Sequence, residues 1–361
     1  MSRWAIGIDL GGTAIKAAIV GEKSGIVYDR SVPTDTASGP AGIIAQLAGI
    51  IGDLHRFASL TMDSGKCSGI GLGAPGAVNA ETGTLSYPPN LQGWSIVPLR
   101  DELQQCLIQQ ENLSIPVYID NDANAAAFGE AVYGAGSEFR DFLMVTLGTG
   151  VGGGIILNRK VFRGINGTAG EVGFMIIDFE GPTIHAGIQG TIESLIGKKA
   201  IVALARRMIQ ANPSGSTVGK FCDNDYTKLS PRHLEHAAKE GDPVSLEVWN
   251  RVGSILGIGL ANVATLMDIR KFVVGGGISA AGNLIIVPAL DQLRRSTLPS
   301  MHDGLSIVPA LLGNKAGIRR ARRFRSTHRG MRRSAQVDAR PGVRCHAQGC
   351  RAPSPRCRAP R

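Results

Sequence analysis

Apolar residues recur along this chain in two periods. Residues 4–32 hold three short strand-like runs, WAIGIDL, AIKAAIV and GIVYDRSV, separated by turn residues, and over residues 40–60 the spacing lengthens to that of a helix. Two further strand-like runs follow, GIGLGAP and PVYIDN, and the second leads straight into the alanine-rich DANAAAFGEAV. That stretch predicts a helix with Asp122 in its first turn. Asp122 then projects from a strand-to-helix junction, where ligands of open α/β sheets collect. From Phe142 the pattern starts again, FLMVTL, a glycine turn and GGGIIL, as an internally duplicated fold would show. Helical periodicity holds over residues 190–210 and 243–267, the second with Pro243 at its start. A strand at KFVVGGG and a helix over 283–295 close the body. The pattern predicts two α/β domains, 1–120 and 121–318, with a cleft between them.

Composition adds limits. A chain of 361 residues that is 43% hydrophobic can bury a sizeable core, and its length suits two domains. It has no run of eighteen apolar residues, and MSRWAIGID enters a strand at once. The expectation is a cytoplasmic protein without a membrane span or signal peptide. Six cysteines without regular spacing read as reduced thiols rather than a disulfide scaffold. The net charge of +10 is carried by the end of the chain: residues 319–361 hold 14 Arg and no Lys against Asp338 alone, leaving 25 basic and 28 acidic residues before them. That Arg- and Pro-rich segment offers no apolar face, so it predicts a disordered tail, and the abrupt switch after Ile318 reads as a change of reading frame. Cys345, His346, Cys350 and Cys357 match no standard zinc spacing.

Three motifs carry the chemistry. DLGGTAIK at residues 9–16 and TLGTGVGGG at 146–154 are glycine turns beside strands, and IDNDANAA at 119–126 lies between them. Glycine turns bring backbone N–H groups close to phosphate oxygens. Two in one chain, with Asp9 ahead of the first and an Asp at the start of a helix between them, point to phosphoryl transfer, which needs phosphate-cradling amides, a metal and a base. Neither turn is the dinucleotide or the Walker pattern.

These motifs resemble the sugar-kinase side of the actin, hsp70 and hexokinase superfamily and, within it, the ROK family of bacterial sugar kinases and repressors. The resemblance runs from about residue 4 to residue 318 and includes GLGAPGAV at 71–78, PPNLQGW at 88–94, AGEVGF at 169–174 and VVGGGIS at 273–279. It implies a two-domain, ribonuclease H-like fold and ATP-dependent phosphorylation of a hexose, glucose first, with N-acetylglucosamine, mannose and fructose as alternatives and polyphosphate as an alternative donor. Gly11, Gly12 and Thr13 would form one phosphate cradle and Gly148, Thr149 and Gly150 the other, with Asp9 holding Mg²⁺ directly or through water. Lys16 either adds positive charge there or is a solvated strand-end lysine. Asp122 would be the general base, against its plain reading as a helix N-terminal Asp. Asn121, Asn90, Glu171, Glu193 and Gly76 match sugar-side positions, and Gly276 and Gly277 match the adenosine loop. Glu193 reads equally as a first-turn glutamate, Asn124 as a support for its turn, and Trp94 as a loop anchor.

The family's structural zinc site is missing from this sequence. The position of its His is Phe174, and those of its three Cys are Ile184, Ala186 and Thr191, so no thiolate or imidazole donor remains and zinc is not expected. Loss of the His also removes a sugar contact. The family's repressor branch places a helix-turn-helix before the first phosphate turn, whereas eight residues precede Asp9 here, so specific nucleic-acid binding is not expected either. Small-molecule sugar, ATP and a second copy in a homodimer are the partners the resemblance implies.

Overall fold

WAIGIDL and AIKAAIV are buried along almost their whole length, and strands of that kind sit inside a sheet covered on both faces. In the computed structural model, which describes residues 3–22, 25–62, 66–89, 91–184, 187–212 and 215–312, they are β1 (Arg3–Leu10) and β2 (Ala14–Gly21) of a five-stranded sheet. β3 (Gly25–Pro33) pairs antiparallel with β2 at one edge. β4 (Lys66–Ala74) and β8 (Val117–Asn121) follow β1 in parallel, giving the order β3-β2-β1-β4-β8. A second sheet repeats this plan with β11 (Lys160–Phe162), β10 (Val151–Leu157), β9 (Phe142–Leu147), β12 (Lys271–Gly275) and β13 (Ser306–Pro309). Again the first three strands are antiparallel and the last two parallel. The duplication expected from the repeated strand-turn-strand pattern is thus present in full strand order.

The parallel steps need crossovers, which the helices supply. In the first half α1 (Gly39–Thr61) links β3 to β4, and α2 (Leu99–Glu111) precedes β8. Ile43, Leu47, Ile51 and Leu54 of α1, spaced by one helical turn, pack with Ile6, Ile8, Ile15 and Ile19 in one core. By length and composition α1 could cross a membrane, but its apolar stripe is spent on that core. A small sheet of β5 (Ala77–Asn79), β6 (Thr84–Ser86) and β7 (Ile96–Val97) follows β4, and buried Trp94 anchors the loop beside it. In the second half α4 (Ile192–Ile196), α5 (Lys198–Ala211), α6 (Pro231–Lys239) and α7 (Pro243–Met267) cross from β11 to β12, and α8 (Asn283–Arg295) from β12 to β13. The single helix expected over residues 190–210 is two, because Gly197 is extended (φ −65°, ψ 160°) and breaks it.

α3 (Asp122–Tyr133) joins the halves. Its alanines let it lie close to both sheets: Ala126 and Ala127 pack with Phe142, Met144 and Val273 of the second. A Cβ on Gly154 of β10 would meet the Ala127 Cβ at 2.6 Å and the Ala123 carbonyl at 2.7 Å, so this glycine serves the seating of α3, while Gly153 admits Gly170 and Val172. α8, α1 and the five strands of the first sheet stand as expected, whereas α2 and the small sheet of β5, β6 and β7 are additions to the sequence pattern. The expected tail, and the cysteines and histidine within it, lie outside the described residues.

Candidate functional site

The site forms where α3 begins. Asn121 caps the helix, its Oδ1 accepting the N–H groups of Ala123 and Asn124 at 2.9 and 3.2 Å, while its Nδ2 donates to the carbonyl of Gly76 at 3.1 Å. Gly76 has φ +91°, and a Cβ there would come within 2.8 Å of Pro88 Cα, so the GLGAPGAV loop reaches Asn121 only with glycine at this place. Asn124 donates to Asp120 Oδ1 at 3.1 Å, the supporting role its position suggests.

With the cap supplied by Asn121, Asp122 stands at the start of α3 with its carboxylate in the cleft. Its surface is open to water, yet protein walls surround it, and this desolvation, together with the negative charge of Asp9, raises its pKa from 3.8 to about 6. Hydrogen bonds from the Ala123 N–H, at 2.7 Å, and from the Asn121 side chain pull it back part of the way. Glu171 feels the same environment: burial raises its pKa first, then the charges of Asp122 and Glu193. Asp9, Asp122, Glu171 and Glu193 therefore share one field although they come from β1, α3, the turn before Val172 and α4.

The first glycine turn joins β1 to β2. Its ends are pinned by Gly11 N–H to Ala14 O at 3.1 Å and by Thr34, whose hydroxyl donates to Gly11 O at 2.6 Å and whose N–H donates to Thr13 O at 3.1 Å. Thr34 has no sequence pattern that would mark it. Asp9 and Lys16 are paired across the hairpin, with Lys16 Nζ 3.1 Å from Asp9 Oδ2. Lys16 is therefore an ion-paired strand-end lysine, 43% exposed at its side chain.

The second turn, residues 148–150, joins β9 to β10, and Gly148 N–H donates to Gly150 O at 2.9 Å. The start of α5 abuts it, with Lys198 N–H on Gly148 O at 3.3 Å. Glu193 closes its other side: Oε2 accepts the Val151 N–H at 2.9 Å, and a Cβ on Gly150 would lie 2.1 Å from that oxygen. Glu193 thus touches the second glycine turn with one oxygen bonded there, and its charge is felt at Glu171. Gly276, at φ +89°, packs on the backbone of Leu147 where this turn begins, while Gly277 faces open space. Asn90 lies outside the described residues.

Around the absent zinc ligands the chain is held by backbone pairing. Ile176 bridges Thr191 and Thr183 bridges Gln189, and Ile184 N–H donates to Ile188 O at 2.9 Å. Fully buried Thr191 caps α4 by accepting the Ser194 N–H at 3.1 Å. Phe174 is 39% exposed, and Ala186 and His185 lie outside the described residues.

Sequence reasoning missed the ion pair beneath the junction. Asp120 is completely buried, and its Oδ2 accepts Nε and Nη2 of Arg163 at 2.9 and 2.7 Å. The two residues are 43 apart in the chain; Asp120 lies within IDNDANAA without an expected role there, and Arg163 lies in none of the motifs.

Comparison with known proteins agrees with this geometry. The chain is 34% identical over 320 residues to the glucokinase of Halalkalibacterium halodurans, covering 88% of this chain and 93% of that one. It is 31% identical over 248 residues to the xylose repressor of Caldicellulosiruptor bescii, 69% of this chain but 60% of the repressor. In three dimensions it superposes with a TM-score of 0.74 and 32% identity on the Streptomyces griseus ROK glucokinase solved with glucose and AMPPNP, over 88% of this chain and 97% of that one. The two-domain hexokinase-like architecture follows from that match. The ROK family model matches residues 5–324, past the Ile318 limit drawn from the motifs, and the chain belongs to the ROK family.

Proposed function

We propose that this protein is an ATP-dependent glucokinase that converts glucose to glucose 6-phosphate, with Asp122 as general base. The observation that carries the reading is the placement of Asp122: at a capped helix start between two duplicated sheets, beside Asp9 and Glu171, with a pKa near the working pH of a general base. The glucokinase relatives, similar over nearly their whole lengths, support glucose and ATP as substrates.

In this reading Glu171, Asn121 and the Gly76 loop hold the sugar, with Glu193 and Asn90 completing its contacts. Asp122 accepts the proton of the sugar hydroxyl as that oxygen attacks the γ-phosphorus. The new O–P bond forms as the bond to the β-phosphate oxygen breaks, and ADP leaves with that electron pair. Amides of residues 11–13 and 148–150 receive phosphate charge, Lys16 adds a positive charge on the same side, and Gly276 and Gly277 face the adenosine.

Asp9 fits a hard divalent cation, since it offers carboxylate oxygens paired so far with Lys16 alone among the described ion pairs, and its negative charge is felt at Asp122. Mg²⁺ held by Asp9, directly or through water, would neutralise phosphate charge when bound. The domains divide at residues 120 and 121 and close on the sugar, which excludes water from the phosphate. The setting is the cytoplasm and the working form a homodimer, with no nucleic-acid partner and no zinc.

A coupled ADP-release assay with Mg-ATP and a panel of hexoses and amino sugars tests the reading. Glucose should be the best substrate, and Asp122→Ala should remove turnover while the protein stays folded. Turnover that survives Asp122→Ala, or no turnover with any sugar by folded wild type, refutes it.

A further inference from the structure

The β8–α3 junction is tied to the second half of the protein by one guanidinium. Asp120 uses both carboxylate oxygens: Oδ2 takes Nε and Nη2 of Arg163 at 2.9 and 2.7 Å, and Oδ1 takes the Asn121 N–H at 2.9 Å and Asn124 Nδ2 at 3.1 Å. Asp120 therefore fixes the residues on both sides of Asp122. Arg163 follows directly on β11 and opens the loop that leads to Glu171. That loop folds back on it, with Ala169 N–H donating to Arg163 O at 3.1 Å, and it also rests on the small sheet of the first half, where a Cβ on Gly167 would come within 2.2 Å of Val78 O.

One residue thus ties together the two segments whose mutual placement matters for the reaction, its side chain on Asp120 and its backbone carbonyl on the loop before Glu171. We propose that Arg163 is a positioning residue: its two-point grip on Asp120 sets the distance and direction between Asp122 and Glu171, and so between the base and the sugar it deprotonates. The inference rests on the reading of those residues as base and sugar ligand. The planar guanidinium brings Nε and Nη2 together onto the one oxygen Oδ2 and so fixes the distance and its own plane, whereas a lysine ammonium supplies the same charge from one nitrogen and lets the junction rotate. Small errors of placement are expensive in phosphoryl transfer, on the order of a hundredfold in rate for about 1 Å. The two glycine turns are tied to other partners, residues 11–13 to Thr34 and residues 148–151 to Lys198 and Glu193, so nucleotide binding should feel the change far less than sugar binding.

The test is steady-state kinetics of the full chain as wild type, Arg163→Lys, Asp120→Asn and Asp122→Asn, with glucose and ATP varied separately and glucose and AMPPNP affinities measured by calorimetry. Arg163→Lys should lower kcat by about ten- to a hundredfold and raise the KM and Kd for glucose at least several-fold. The KM for ATP and the Kd for AMPPNP should stay within about twofold of wild type. Asp120→Asn, which keeps the side-chain shape, should give the same split and answers the question if the lysine variant does not fold. A purely structural ion pair would instead lower the melting temperature and the active fraction with both KM values unchanged. That result, or unchanged kcat and glucose KM in either folded variant, overturns the proposal. Wild-type turnover that Asp122→Asn abolishes keeps the underlying kinase reading intact in that case, whereas a wild type silent on every sugar overturns both.

Discussion

Asp122 should give this enzyme an acid limb at an unusual pH. An aspartate at its ordinary pKa of 3.8 is more than about nine-tenths ionised by pH 5, so it would leave rates flat above that point. Desolvation in the cleft and the charge of Asp9 raise Asp122 to about 6. The ionised fraction is then about one-tenth at pH 5, half at pH 6 and nine-tenths at pH 7. Because the base must be ionised to accept the sugar proton, kcat/KM for glucose should rise about tenfold from pH 5 to pH 7 with a midpoint near 6. Initial rates of ADP release from about pH 3 to about pH 8 (roughly the span that brackets both pKa values), at constant ionic strength and saturating Mg²⁺, provide the measurement. The same shift has a sign in stability. A carboxylate with a raised folded-state pKa keeps its proton where the unfolded chain has lost it, so its contribution favours folding at low pH and is lost as pH rises through about 6. Asp122→Asn should remove that slope from the pH dependence of unfolding. A rate profile flat between pH 5 and 7, or a midpoint near 4, would refute the environment assigned to Asp122.

Other parts of the structure make separate predictions. Glu130 is completely buried and its carboxylate accepts N–H groups from Ala135, Leu311 and Leu312 at 2.7, 3.2 and 2.8 Å, so Glu130→Gln turns one acceptor oxygen into a donor facing a donor. The loss should be roughly 3 kcal/mol, about 5 °C of melting temperature for a body of this size, read by calorimetry; an unchanged melting temperature contradicts it. Gly154→Ala should push α3 off β10, since the added Cβ meets the Ala123 carbonyl at 2.7 Å, and lower kcat more than about tenfold with folded protein by circular dichroism. Wild-type kcat in that variant would show that α3 tolerates the shift. Stripping zinc with a chelator and then restoring Mg²⁺ should leave activity and melting temperature unchanged, because Phe174, Ile184, Ala186 and Thr191 carry no thiolate or imidazole. A loss restored by zinc alone would expose a metal site elsewhere.

How far the sequence could be read depended on where each residue finds its partner. The two glycine turns, the strand pairs beside them and the start of α3 were legible because their demands are local: a turn needs glycine at once, and a helix needs its cap within three residues. α2 was missed although Leu99, Leu103 and Leu107 repeat every helical turn, because no flanking cap or apolar neighbour drew attention to so polar a stretch. Gly197, which splits the expected helix, is adjacent to two lysines and carries no punctuation beyond being glycine. β13 is four residues ended by Pro309, and its pairing with β12 exists only across α8. Asp120 and Arg163 were beyond reach for the same reason, since a charge pair separated by 43 residues has no spacing to recognise.

The same contrast bears on Asp122 itself. An Asp at the start of a helix is ordinarily explained by capping, and from the sequence the two explanations compete. In the structure the cap is Asn121, whose Oδ1 receives the Ala123 and Asn124 amides, while Asp122 Oδ1 shares the Ala123 N–H at 2.7 Å. An amide oxygen could make that shared bond as well, whereas burial and the charge of Asp9 act against the ionised form of a carboxylate there. In the proposed reaction the use of a carboxylate kept at such a place lies in the proton it exchanges, and the buried Asp120 beneath it, gripped from the other half of the fold, holds that place.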